Sequence, residues 1–310
     1  MDSRGSHDRA SASAIRHPSR HRSASPRERY PIGASFLCPA TGRQGRDSHG
    51  QFPHFRGYTR LDQELTRGRP DRREQIDIGA ELPALPIEEG APSWRRLQGP
   101  NQWPHGLPAL KPVTLNWSAR LRAIAIRLLR TFAEALEQPA DALDSLIDGV
   151  PAQLLKLIRD PGSDDVHHRQ GVGAHKDAGI LTLLLQDEHG GLQVERHEEW
   201  QDVPPKERAF VVNIGEMLEL ATNGYLRATL HRVIAPPAGV TRLSIGHFLS
   251  PCLAGSVPLL PLLAHLAADA KGSESDPDNP LFREIGPNAI KGRLRSHPDV
   301  AARHYANVLS

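Results

Sequence analysis

The chain has 310 residues and a mass of 34.1 kDa, which allows one large domain or two small ones. Its 38% hydrophobic and 24% charged residues fit a globular protein and exclude a fibrous or collagen-like chain. The net charge of +2 is unevenly distributed: residues 1–50 carry an excess of five positive charges, and the other residues carry an excess of three negative charges.

Cysteines and apolar segments indicate the compartment. Cys38 and Cys252 are the only cysteines, too few for a disulfide framework or a cysteine-based zinc site, which suits a reducing compartment. Pro258 and Pro261 interrupt the most apolar stretch before it reaches the roughly 18 residues of a membrane helix. The basic first residues lack the apolar segment of a secretory signal. We expect a cytoplasmic protein that does not enter a membrane.

The first segment, residues 1–50, is rich in arginine and serine, and only four of its residues are Leu, Ile, Val or Phe. Such a composition buries too little apolar surface to offset the entropy lost on ordering. We expect this segment to be disordered, and it fits a leader that does not belong to the native protein. Its charge is compatible with nucleic acid, but no aromatic residues are interleaved before Tyr30, so we do not expect nucleic-acid binding.

Residues 51–150 are predicted to form a region of loops and helices. Apolar residues recur every three or four positions over 113–137, which is typical of an amphipathic helix packed on a sheet. The stripe consists of Trp117, Leu121, Ile124, Leu128, Phe132 and Leu136. Pro139 follows the end of this helix, and a second, shorter helix is predicted over 139–146.

Residues 151–252 change to a period of about two, which is typical of β-strands. Strands are predicted over 154–158, 180–185, 192–194, 209–214, 229–235 and 243–248. Turn residues separate them without intervening long helices, so we expect a mainly β protein with flanking helices, built on an antiparallel jelly-roll core. Residues 253–310 are predicted to be a C-terminal tail with helices at 290–294 and 300–305.

Three polar residues stand in this region where a buried sheet face would favour aliphatic side chains. His175 and Asp177 are two positions apart, so they project from the same face of a strand and can share one ion. His231 supplies a third ligand from a distant strand. Two imidazoles and one carboxylate on one face of a metal form the facial triad of non-haem Fe(II) oxygenases.

A second polar pair follows His231. Arg242 and Ser244 also share one strand face, and a guanidinium fork is suited to binding a carboxylate through two charge-assisted hydrogen bonds. An inward-facing arginine is costly to bury without such a partner. The sequence therefore predicts an anion site near the metal.

From about residue 53 to 302 the chain resembles the isopenicillin N synthase-like family of Fe(II)/2-oxoglutarate-dependent oxygenases. The resemblance is carried by the segments 171–177 (GVGAHKD), 190–194 (GGLQV), 213–218 (NIGEML), 223–233 (which ends in HRV) and 242–244 (RLS). It implies a double-stranded β-helix fold, with His175, Asp177 and His231 as Fe(II) ligands. It also implies that Arg242 and Ser244 bind 2-oxoglutarate.

The chain departs from the family pattern in three places. Asp160 stands where relatives often have a tyrosine that helps to hold the cosubstrate, so Arg159 becomes an additional candidate for the anion contact. Gly246 and His247 stand where a proline and an aromatic residue are commoner. Residues 1–50 also contain nothing like the usual first strand, which predicts a sheet without that edge strand.

The resemblance implies a dioxygenase that oxidises a small molecule with dioxygen and releases succinate and carbon dioxide. No catalytic residue beyond the metal centre is expected, and we expect a monomer. Two alternatives remain open: a relative that consumes 2-oxoglutarate itself to form ethylene and succinate, and an inactive truncated relative.

Overall fold

The computed structural model describes residues 13–16, 49–149, 152–165, 170–273 and 279–309. Its strands are β1 (Ser13–Arg16), β2 (Gly57–Thr59), β3 (Leu65–Thr66), β4 (Arg69–Pro70), β5 (Glu74–Gly79), β6 (Leu154–Pro161), β7 (Gln170–His175), β8 (Leu181–Gln186), β9 (Leu192–Arg196), β10 (Glu199–Asp202), β11 (Ala209–Ile214), β12 (His231–Ile234) and β13 (Thr241–Leu249). Its α-helices are α1 (Leu110–Ala135), α2 (Glu216–Ala221), α3 (Ala264–Ala267), α4 (Ile285–Ser296), α5 (Pro298–His304) and α6 (Ala306–Leu309). Short 3₁₀ helices occupy His49–Gln51, Ser93–Leu97 and Asp144–Leu146.

Two antiparallel sheets make up the core. The major sheet has the strand order β1-β11-β8-β13-β6-β5-β2, and the minor sheet has the order β10-β9-β12-β7. Strands distant in sequence are neighbours in both sheets, as in a jelly roll, and each paired strand is antiparallel to its neighbour. The predicted fold, a mainly β double-stranded β-helix core with flanking helices, is confirmed.

Helix α1 covers the outer face of the major sheet. Its most deeply buried line includes Leu121, Ala125, Leu129 and Ala133, whose spacing of four places them on one side of the helix. The two alanines leave room for the helix to lie close to the sheet, while each buried leucine contributes about 1.5–3 kcal/mol of hydrophobic stabilisation. The predicted helix over 113–137 is therefore confirmed. The partly buried residues of the predicted stripe, Trp117, Ile124, Leu128 and Phe132, pack against the same core.

The two faces of the major sheet differ in polarity. On β6, Leu155 and Leu157 belong to the hydrophobic core under α1, whereas Lys156 and Asp160 alternate with them and point to the opposite face. Asp160 contacts Arg242 there, across the register of β6 and β13. We call this second side the interior face, because the polar side chains of the site project from it.

Four strands precede α1, in the region predicted to contain loops and helices. Strand β5 is completely buried and pairs along its whole length with β6, which extends the major sheet. Its sequence, Glu-Gln-Ile-Asp-Ile-Gly, mixes charges with only two apolar side chains, so it lacks the apolar run of a buried strand. The second helix predicted over 139–146 is a series of turns ending in the 3₁₀ helix Asp144–Leu146.

Strand β1 lies within the segment that the sequence predicts to be disordered. Its residues Ser13–Arg16 pair with 209–212 of β11 and form an edge of the major sheet, so the prediction that residues 1–50 supply no edge strand is wrong. Backbone hydrogen bonding at a sheet edge depends little on side-chain composition, which explains how a polar segment can supply this strand. The rest of the predicted disordered segment up to residue 48 lies outside the described residues.

The C-terminal tail is helical, as predicted. Helices α4 and α5 contain the predicted segments 290–294 and 300–304, and Tyr305 follows directly. Ile290, Val300 and Tyr305 bury against Phe55 and Leu97 in a small second core. Among the described residues, no helix has both the length and the apolar character that a membrane span requires.

Candidate metal and anion site

His175, Asp177 and His231 come together at the end of the strand pair β7 and β12. His175 is the last residue of β7 and lies opposite His231, the first residue of β12. Asp177 lies in the loop after β7, so the prediction that it shares a strand face with His175 is wrong, although the loop still brings its carboxylate to both imidazoles. The Nε2 atoms of His175 and His231 are 3.8 and 3.7 Å from Oδ1 of Asp177. One ligand atom from each residue fits within 4.8 Å of the others, so the three side chains can share one metal ion.

The backbone fixes the orientation of both imidazoles. Nδ1 of His175 donates to the carbonyl oxygen of Gly173 at 2.8 Å, and Nδ1 of His231 donates to that of Thr229 at 3.0 Å. A carbonyl oxygen only accepts, so the ring proton sits on Nδ1 and the Nε2 lone pair is directed at the site. Metal-binding histidines commonly have their second ring nitrogen anchored in this way.

The electrostatics also suit a cation. Burial lowers the pKa of His175 to about 4, with a further contribution from His231, so the ring is neutral and able to coordinate at pH 7. Burial alone raises the pKa of Asp177, but His231 and His175 outweigh it and hold that pKa below its ordinary value. Oδ2 of Asp177 is buried and has no hydrogen-bond partner among the described residues. A divalent cation compensates such a carboxylate, so the donor set fits a metal.

Arg242 and Ser244 occupy the interior face of β13, as the sequence predicts. Both are almost completely buried, at 1% and 2% exposure. Nη1 of Arg242 donates to the Ser244 hydroxyl at 3.2 Å, and Nη2 donates to the side-chain carbonyl of Gln186 at 3.0 Å. The guanidinium is therefore held by its neighbours, with hydrogen-bonding side chains around it.

Asp160 and Arg159 lie on opposite faces of β6. Asp160 faces Arg242 and forms a buried ion pair with it, with Oδ2 2.7 Å from Nη1. Arg159 lies opposite Leu243 and pairs with Glu74 on the other face. Neighbouring residues in a strand point to opposite sides, so the structure does not bring Arg159 to Arg242.

Glu219, on helix α2, was not identified from the sequence as a site residue, and the structure buries it at 1% exposure. Its Oε2 accepts a hydrogen bond from the Ala228 backbone N–H at 2.6 Å and lies 3.5 Å from Nζ of Lys176. Lys176 stands between His175 and Asp177, and Ala228 precedes His231. Glu219 thus connects the two chain segments that carry the metal-type residues, although nothing in the sequence around it signals this role.

A group of charged side chains also lines the interior, and sequence reasoning missed it. Nζ of Lys156 is 3.1 Å from Glu64 and 3.6 Å from Asp77, and these carboxylates also contact Arg73 at 2.9 Å and Arg293 at 3.1 Å. We call these five residues the interior charge cluster. It has three cations and two anions, and Arg73 is near enough to His175 to contribute to lowering its pKa. Glu64 and Arg73 directly precede β3 and β5, and the other three residues lie on β5, β6 and α4, so their proximity is invisible in the linear sequence.

A second group of possible ligands consists of Asp187, Glu188 and His189. The Asp187 carboxylate already accepts backbone N–H bonds from His189 at 2.9 Å and from Leu243 at 2.6 Å. Glu188 is exposed. Since these contacts account for a turn between β8 and β9, this group has a structural explanation that His175, Asp177 and His231 lack.

His247 occupies a position where the sequence departs from its resemblance, and the structure places it away from the site. It lies opposite Leu155 and Leu183, both part of the core under α1, and is 0% exposed. Burial lowers the pKa of His247 to about 4. This histidine is therefore a core residue rather than part of the interior face.

Two family descriptions match the sequence. Residues 152–251 match the 2OG-Fe(II) oxygenase superfamily, and residues 38–106 match the N-terminal region described for a non-haem dioxygenase in morphine synthesis. The first match contains all the residues of the metal and anion site described above.

Curated relatives and solved structures agree with these matches. The 2-oxoglutarate-dependent dioxygenase frbJ of Dothideomycetidae sp. (strain 11243) is 32% identical over 83% of this chain and 74% of its own length. A homoarginine-6-hydroxylase of Glycine max is 37% identical over 58% of this chain and 56% of its own length. Crystalline full-length Neurospora crassa T7H, bound to alpha-KG and thymine, is 24% identical with a TM-score of 0.69, over 94% of this chain and 87% of that one. This last likeness concerns the fold.

Proposed function

Because the chain belongs to the 2OG-Fe(II) oxygenase superfamily, we propose that His175, Asp177 and His231 bind the Fe(II) ion on which its activity depends. The enzyme is a non-haem, 2-oxoglutarate-dependent dioxygenase that oxidises a small molecule. The alternatives of an ethylene-forming or an inactive relative are not favoured by the comparisons. The observation that supports the ligand assignment is the pair of Nδ1 anchors, which direct both Nε2 atoms at Asp177.

We further propose that Arg242 and Ser244 bind the distal carboxylate of 2-oxoglutarate. Arg242 provides the charge, Ser244 a hydroxyl, and Gln186 holds the guanidinium in place. Two parallel hydrogen bonds from such a fork orient a carboxylate as well as bind it. The 2-oxo acid at the opposite end of the cosubstrate would remain free to bind the metal.

When bound, iron and 2-oxoglutarate would supply the oxidising chemistry, in which one oxygen atom of O₂ would enter the substrate and the other would enter succinate with loss of carbon dioxide. The side chains of this chain bind and orient. The Nδ1 anchors fix the rotation of His175 and His231, and the buried Asp177 supplies the negative charge that a divalent ion needs. These side chains bind and orient the metal, and none of them has to transfer a proton.

The interior charge cluster supports a proposal about the substrate. With buried Asp71, which lies 3.4 Å from Arg73, this group has three cations and three anions, so it suits a small polar molecule that carries charges of both signs. An apolar substrate is disfavoured beside such buried charges, because it offers them no hydrogen-bond partner or opposite charge. The homoarginine-6-hydroxylases among the relatives, named for an amino acid, are consistent with this chemistry. We propose an amino-acid-like substrate.

Anaerobic titration tests the cofactor site. Adding 2-oxoglutarate to the Fe(II)-loaded protein should produce a visible metal-to-ligand charge-transfer band. Absence of this band in protein that retains iron would contradict the proposed site. The substrate proposal is tested by measuring succinate release in air in three reactions, which contain L-homoarginine, thymine or no added substrate. Stimulation by thymine alone would exclude the amino-acid proposal.

We also propose that the enzyme is cytoplasmic, monomeric and independent of nucleic acid. Two cysteines in 310 residues are consistent with a reducing compartment. Fractionation of the source cells, followed by size-exclusion chromatography with light scattering, tests the first two points. Retention on a nucleic-acid column at physiological salt would contradict the third.

A further inference from the structure

The ion pair between Asp160 and Arg242 lies within the proposed cosubstrate site. The two residues are directly opposite in the register of β6 and β13, and their exposures are 0% and 1%. Oδ2 of Asp160 is 2.7 Å from Nη1 of Arg242, and the same Nη1 donates to Ser244 at 3.2 Å. An Nη atom has two N–H bonds, so Asp160 and Ser244 together account for both of them.

Nε of Arg242 has no hydrogen-bond partner among the described residues, so a cosubstrate carboxylate can still reach this guanidinium beside Ser244, where it would share the single positive charge with Asp160. Two carboxylates sharing one buried guanidinium leave an excess negative charge, which is unfavourable in a poorly solvated site. Oδ1 of Asp160 has no hydrogen-bond partner among the described residues, so no other contact offsets its burial. Asp160 is thus held almost entirely by Arg242.

A second cation lies within electrostatic range of this carboxylate. Burial would lower the pKa of Arg73, but Glu64, Asp71 and Asp160 outweigh it and raise that pKa. Nε of Arg73 is buried without a hydrogen-bond partner among the described residues. Arg73 can therefore stabilise a charged Asp160 when a second carboxylate reaches Arg242.

We propose that Asp160 is a built-in competitor for Arg242, which weakens the binding of 2-oxoglutarate and reduces the enzyme's preference for a cosubstrate with a distal carboxylate. This inference rests on the proposed role of Arg242 in cosubstrate binding. Asp160 is a specificity-determining residue in this role, and it acts by charge competition. The closest neutral replacement, Asp160→Asn, keeps an oxygen that can accept from Nη1 and removes the competing charge.

Equilibrium binding on the Mn(II)-loaded protein tests the proposal without turnover. The two probes are 2-oxoglutarate and 2-oxohexanoate, which share the 2-oxo acid end and differ in the distal carboxylate. Asp160→Asn should lower the Kd of 2-oxoglutarate by about tenfold or more, as expected for removing a like charge a few ångströms away in a buried site, and change that of 2-oxohexanoate by less than about twofold. An unchanged or higher Kd for 2-oxoglutarate, or an equal shift for both probes, would overturn it.

A matched control is Glu74→Gln, which removes the charge from an ion pair on the opposite face of the same sheet. It should leave both Kd values unchanged. Arg242→Ala distinguishes a failure of the proposed cosubstrate site from a failure of the competition by Asp160. If it leaves 2-oxoglutarate binding unchanged, the proposed site fails; if it weakens binding while Asp160→Asn does not strengthen it, only the competition fails.

The wild-type protein gives a test that does not depend on the variant folding. An uncompeted buried charge pair would favour 2-oxoglutarate over 2-oxohexanoate by about 30-fold or more. Competition by Asp160 predicts a preference below that value, and a larger preference would overturn the proposal.

In thermal melts of Asp160→Asn without ligand, loss of the ion pair should lower the Tm, and 2-oxoglutarate should raise the Tm of the variant by more than that of the wild type.

Discussion

His175 and His231 lie directly opposite each other on two antiparallel strands, with their ring centroids 4.3 Å apart. Each ring is anchored through Nδ1 to a carbonyl oxygen two residues earlier in its own segment. The strand register thus sets the separation of the rings, and local backbone sets their rotation. Asp177 completes the group from the loop after β7, so backbone geometry preorganises the three ligands.

Removing a metal ligand should abolish stoichiometric iron binding. We expect His175→Ala and Asp177→Ala to contain almost no Fe(II) after anaerobic loading and desalting, because two remaining ligands cannot hold the ion. The measurement is metal content per folded protein. His189→Ala, in the second carboxylate and histidine group, is the control and should bind iron normally. Full occupancy in either ligand variant would contradict the assignment.

Arg242→Ala should weaken 2-oxoglutarate binding by about 2–5 kcal/mol, the range for breaking a buried charge pair. Ser244→Ala removes one hydrogen bond, so its effect should be about 0.5–1.5 kcal/mol. Binding to the Mn(II)-loaded protein measures both. Arg159→Ala serves as the comparison, because Arg159 lies on the opposite face of β6 and should leave the affinity unchanged. An equal loss in all three variants would indicate a general defect.

Glu219→Ala should lower iron affinity by about 10–100-fold, as for other residues that orient metal ligands. The carboxylate connects Lys176, between two ligands, with Ala228, three residues before the third. Glu219→Gln keeps an acceptor for the Ala228 N–H and should recover most of the affinity. Isothermal titration with Fe(II) under anaerobic conditions measures this. If both variants bind iron like wild type, Glu219 only stabilises the fold.

His247 should make the fold sensitive to acid. Its pKa in the folded state is about 4, below the ordinary 6.5, so the unfolded chain binds the additional proton between these values. Its contribution to stability is fully present above pH 6.5 and is lost as the pH falls, by on the order of 3 kcal/mol at pH 4. His247→Phe should reduce this loss in metal-free denaturant unfolding. His265→Gln, an exposed control, should keep the wild-type pH dependence.

The predictable parts of the fold are those with a strong period. The stripe around Leu121 follows from burying one side of a helix, and it is found in the structure. Strand β6 was predicted from its apolar residues, and the structure buries it on both faces. Strand β5 was missed because its interior residues, Gln75 and Asp77, are polar yet completely buried. Gln75 donates a hydrogen bond to Asp77, and Arg293, which pairs with Asp77, lies far along the chain. A hydrophobic pattern contains no information about such partners.

The sequence by itself determined the family, the jelly-roll core and the residues proposed to bind the metal, because the spacing of His175 and Asp177 and the order of the later motifs are properties of the chain. Only the tertiary structure decided which charges meet. It turned Arg159 away from the site, brought Asp160 against Arg242 and assembled the interior charge cluster. The physical reason is that strand register and sheet face determine whether two charges lie within a few ångströms of each other, and both are settled by pairing between strands that are distant in sequence.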